Sequence, residues 1–71
     1  MLRTKRYTSK RLPAAINATV RLKHALGHLD AASRQLVDAG DARAGNGITA
    51  AALRVREWHQ KILSSIRGST Q

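Results

Sequence analysis

His24 and His28 stand four residues apart, a spacing that sets two imidazoles on one side of a helix and that helical metal sites use. A third ligand is missing. The chain has no Cys, Asp30 points away from that side of the helix, and His59 would have to arrive from another helix or another subunit. The pair therefore reads as surface histidines, and no metal is expected. Nucleophilic chemistry is equally thin. Ser64 and Ser65 have no neighbour that would activate them, and the four carboxylates, Asp30, Asp38, Asp41 and Glu57, are scattered. Gly45-Asn46-Gly47 with Thr49 lacks the lysine that a phosphate-binding glycine loop requires. A non-enzyme that uses no cofactor is the expectation.

The cations offer more. Thirteen Lys and Arg against four Asp and Glu give a net charge of +9 over 71 residues. The imbalance is concentrated at one end, because no acid precedes Asp30. Arg3, Lys5, Arg6, Lys10 and Arg11 fall in the first eleven residues, with Tyr7 among them. Each cation can approach a phosphate, and Tyr7 can stack on a base or hydrogen-bond to a backbone oxygen. Nucleic acid, DNA or RNA, is the expected partner. If about six to eight phosphates were engaged, affinity would fall on the order of a thousand-fold between 50 and 200 mM salt. Arg21, Lys23, Arg54 and Arg56 do not converge on one helical stripe and read as a dispersed solvated surface.

These side chains need a scaffold, and its period is helical. Residues 1–12 show no periodicity and read as a flexible basic arm. Pro13 suits a first helical turn, where the N–H it lacks has no partner in any case. A helix is predicted over 13–39, running through Gly27 at a cost of about 1 kcal/mol relative to Ala. Ala15, Leu22, Leu29 and Leu36 form one heptad column, and Ala18, Ala25, Ala32 and Ala39 form the column three residues on. That alternation predicts a packing surface for another helix, antiparallel to the first.

Three glycines in residues 40–47 predict a turn, with Gly40 in the left-handed position and Asn46 as the next N-cap. A second helix is predicted over 48–67, with Ile48, Val55 and Ile62 seven apart, Trp58 on the seam, and Ala52, His59 and Ile66 beside them. Trp58 reads as core or interface packing rather than as a base platform. Gly68 is expected to stop the helix, leaving 68–71 as a tail.

The fold class expected is all-α, an antiparallel helical hairpin with a basic arm. A hairpin has one interface and cannot enclose a core, and Leu26, Val37, Leu53 and Leu63 lie at or beyond its edge. Disulfides cannot compensate in a chain without Cys. A homodimeric four-helix bundle is therefore expected, with Leu22, Ala25, Leu29, Ala32, Leu36, Ile48, Val55, Trp58, Ile62 and Ile66 as the core and dimer seam. A strand at residues 3–8 and a break at Gly27, as in ribbon-helix-helix repressors, is a variant that the alanine column running across Gly27 disfavours.

The functional expectation is a small nucleic-acid-binding protein whose arm contacts phosphates, its size and charge fitting a regulatory or accessory factor of a mobile genetic element. A helical adaptor or inhibitor that docks its apolar seam on a protein partner is the alternative. A membrane-surface helix ranks last, because polar-face lysines are few and aromatic anchors are lacking. No run approaches the length of a membrane span and no secretory leader is evident, so the cytoplasm is the expected location.

Overall fold

The structure is a computed structural model that describes residues 6–70. Two helices, α1 (Leu12–Asp38) and α2 (Ala42–Thr70), pack against each other as a hairpin. Among the described residues there is no strand. Alpha-helical rise makes each helix about 40 Å long, in keeping with overall extents of 47 × 27 × 13 Å. The molecule is thus a slab one helix thick.

The connection is much shorter than the glycine content predicts. α1 ends in a paired closure: the Gly40 N–H donates to the Val37 carbonyl and the Asp41 N–H to the Leu36 carbonyl, at 3.0 and 2.8 Å. Gly40 sits at φ +88, the left-handed position that a helix stop of this kind requires. Asp41 then caps α2, its Oδ1 accepting from the Ala44 N–H at 3.1 Å. The predicted turn over 40–47 is therefore corrected to residues 39–41, and the N-cap is Asp41, not Asn46. α2 begins at Ala42 rather than at Ile48, and it continues through Gly68 to Thr70 instead of stopping at Arg67. α1 runs unbroken through Gly27. Its first residue is Leu12, one before the predicted start, with Pro13 in the first turn.

Gly45 and Gly47, predicted as turn residues, are helical, and Gly45 has a packing role. A Cβ there would lie 2.7 Å from Val37 Cγ2 and 2.9 Å from the Ser33 carbonyl oxygen. Only a residue without a side chain lets the helices come this close. Ser33 uses the proximity: its hydroxyl donates to the Gly45 carbonyl oxygen at 2.7 Å and lies 2.7 Å from Thr49 Oγ1.

Away from the turn the seam follows two heptad columns on each helix. On α1 these are Ala15, Leu22, Leu29 and Leu36 together with Leu12, Thr19, Leu26 and Ser33, all buried or half-buried. On α2 they are Gly45, Ala52, His59 and Ile66 together with Ile48, Val55, Ile62 and Ser69. The alanine column is not part of this seam: Ala18, Ala25, Ala32 and Ala39 are exposed. Its place is taken by the column containing Thr19, Leu26 and Ser33, and Leu26, expected at the edge, is only 7% exposed. Trp58 is likewise outside the hairpin seam, 64% exposed. The hydroxyls drawn into the interior are satisfied within their own helices or across the seam. Thr19 donates to the Ile16 carbonyl and Ser65 to the Lys61 carbonyl.

Among the described residues the buried apolar ones are Ala15, Leu26 and Ala52, which is a small core. The accessible surface is 5963 Å², against about 4,300 Å² for a compact globular monomer of this mass. Ile16, Val20, Val37 and Leu53 stand in water along with Trp58. Among the described residues no helix is long and apolar enough to cross a membrane.

Candidate nucleic-acid interface

The residues preceding α1 lie against the far end of α2. The backbone N–H of Tyr7 donates to Ser69 Oγ at 2.7 Å, and that hydroxyl in turn donates to the Ser65 carbonyl. The Thr8 carbonyl accepts from both the Arg11 and Leu12 N–H groups at 2.9 Å. The resulting turn feeds the chain into α1 and satisfies donors at a helix start that has no side-chain cap.

This arrangement forms a cleft of about 670 Å³ between the start of α1 and the end of α2. It is lined by Arg6, Tyr7, Thr8, Lys10 and Arg11 together with Ala14, Ala15, Ala18 and Ile62, of which Ala15 is buried and Ile62 half-buried. Of the six residues expected to contact nucleic acid, the structure brings together Arg6, Tyr7, Lys10 and Arg11. The other two, Arg3 and Lys5, lie outside the described residues. Among the described residues no acid lines the cleft. Arg6, Lys10 and Arg11 are exposed, while Tyr7 is half-buried.

A second groove, of about 620 Å³, is lined by Thr19, Val20, Lys23, Leu26, Gly27 and Asp30 from α1 and by Arg56, His59, Gln60 and Leu63 from α2. Here Asp30 and Arg56 form an ion pair across the helices. His59 occupies a seam position at the groove, as its place beside Trp58 and Ile62 suggested. His24 and His28 are exposed. Among the described residues no group of three or more His, Asp or Glu side chains is placed to hold a metal ion. The Lys61 ammonium lies 4.9 Å from the centre of the Trp58 ring, a cation–π contact on the open surface.

The expected core and dimer seam divides in two. Leu22, Leu29, Leu36, Ile48, Val55, Ile62 and Ile66 are half-buried at seam positions of the hairpin, whereas Ala25, Ala32 and Trp58 face outward. Sequence reasoning missed the anchor of the arm, Ser65 and Ser69, and the cleft residues Ala14 and Ala18. A signal for the anchor was present: Ser65 and Ser69 are four apart and so share one face of α2, and Ser69 continues the column of Ile48, Val55 and Ile62. Comparisons of the chain with protein-family models, with curated proteins and with solved structures returned no match in any of the three.

Proposed function

We propose that this chain is a non-enzymatic nucleic-acid-binding protein that grips phosphates through Arg6, Lys10 and Arg11, with Arg3 and Lys5 extending the same basic run. The observation that carries this reading is the cleft at the open end of the hairpin, where three cations and a tyrosine come together and no acid among the described residues joins them. In the second groove, by contrast, Asp30 meets Arg56. Uncompensated cations attract a polyanion and release its counterions on binding.

The working form in this reading is a pair of hairpins. The small core and the excess surface support it. Ala25, Ala32 and Trp58 belong to the face that a second copy covers. Ala25 and Ala32 on that face carry no charge, as the core of an interface requires, and Lys61, stacked over Trp58, is the cation that pairing would have to move to the rim. Two basic ends on one particle bind a long polyanion with more avidity than one.

The test is a salt-resolved binding series with light scattering in parallel. Fluorescence anisotropy with labelled oligonucleotides is expected to show binding at 50 mM salt that weakens steeply toward 200 mM. The double variant Lys10→Gln, Arg11→Gln is expected to lower the slope of log K against log salt by about two on a duplex. A wild-type chain that binds no oligonucleotide at 50 mM salt defeats the nucleic-acid reading. A wild-type chain that stays monomeric at high micromolar concentration defeats the pairing.

A further inference from the structure

We infer, resting on the nucleic-acid reading above, that the cleft receives an unstacked base together with its flanking phosphates, so that the protein selects single-stranded over duplex nucleic acid. A device for holding duplex phosphates needs exposed cations and no pocket, since phosphates lie on the outside of the duplex and its bases stay stacked within. Here the cations share a concavity with apolar surface: Ala14, Ala15, Ala18 and Ile62 contribute methyl and methylene groups beside Arg6, Lys10 and Arg11. Apolar surface beside cations matches a base that has left its stack, with the charged backbone following the cations.

The volume agrees, because about 670 Å³ falls within the range of small-ligand sites. The wall is also held in place. Tyr7 is half-buried, and its main chain is tied to Ser69 on α2, so the backbone at this edge of the cleft is set before a ligand arrives.

The experiment uses the full chain and three labelled probes at 50 mM salt: a twelve-nucleotide homopyrimidine strand, the same strand annealed to its complement, and heparin. The single strand is expected to bind at least tenfold more tightly than the duplex. Tyr7→Ala is expected to lower single-strand affinity about tenfold, in the range that removal of a stacking ring produces, with duplex affinity nearly unchanged. Ala14→Glu puts an acid in the cleft lining at an exposed helical position. It is expected to lower single-strand affinity at least as much, with helicity retained by circular dichroism. Equal affinity for strand, duplex and heparin, or indifference of the single strand to Ala14→Glu, overturns the inference while leaving the phosphate reading in place. Failure to bind all three probes removes both.

Discussion

Gly45→Ala should destabilise the hairpin, although Ala is the better helix former at almost any helical position. The added Cβ would sit 2.9 Å from the Ser33 carbonyl oxygen and 2.7 Å from Val37 Cγ2. Val37 is exposed and can rotate, but the carbonyl oxygen belongs to the α1 backbone and cannot yield unless the helices part. Overpacking of this kind costs about 1–3 kcal/mol. Parting the helices also strains the Ser33 hydrogen bond to the Gly45 carbonyl, worth about 1 kcal/mol. Against these stands a gain of about 1 kcal/mol from replacing a helical glycine, leaving a net loss of about 1–3 kcal/mol.

Gly47 is the internal control, because a Cβ there meets nothing within 4 Å. Gly47→Ala should therefore stabilise by up to about 1 kcal/mol. Urea unfolding followed by helical circular dichroism measures both, at one fixed protein concentration so that pairing does not confound the comparison. If Gly45→Ala proves as stable as Gly47→Ala, the close approach of the helices at this end is wrong.

Three further outcomes are expected. Gly40→Ala forces an L side chain into φ +88 and should cost about 1 kcal/mol, read as a fall in melting temperature of several degrees. Trp58→Ala should leave the helicity of the dilute hairpin nearly unchanged, because the ring is mostly in water, yet weaken pairing at least tenfold by analytical ultracentrifugation. Asp30→Asn should change stability by less than about 0.5 kcal/mol, since the side chains of its pair with Arg56 are 50% and 41% exposed, a geometry in which water and salt screen the attraction.

Two helices in a hairpin were legible because the heptad spacing of Leu22, Leu29 and Leu36 and of Ile48, Val55 and Ile62 is hard to produce in any other element. The turn was misread because glycine content was weighed without register. Gly45 is seven residues before Ala52, and so belongs to the column of Ala52, His59 and Ile66. Read that way, it is a small seam residue rather than a helix breaker. The choice of seam on α1 failed for a related reason. Thr19 and Ser33 hide a packing column behind polar residue types, whereas four alanines in a row look apolar wherever they point. A hydroxyl that returns its proton to its own helix, as Thr19 does to the Ile16 carbonyl, packs like a small apolar group. The basic end was legible as composition, but its cleft was not. Ser69, which shapes that cleft, is 62 residues from Tyr7 and meets it only once the hairpin closes.

The bond between the Tyr7 main chain and Ser69 has a consequence for how this end of the molecule tolerates change. Because the donor is a peptide N–H, any residue except proline can occupy position 7 and keep this hydrogen bond, while loss of the hydroxyl at position 69 removes it whatever the residue at position 7. This point of attachment therefore tolerates any change of side chain at position 7 that keeps the peptide N–H, and it depends on the serine hydroxyl of the opposite helix.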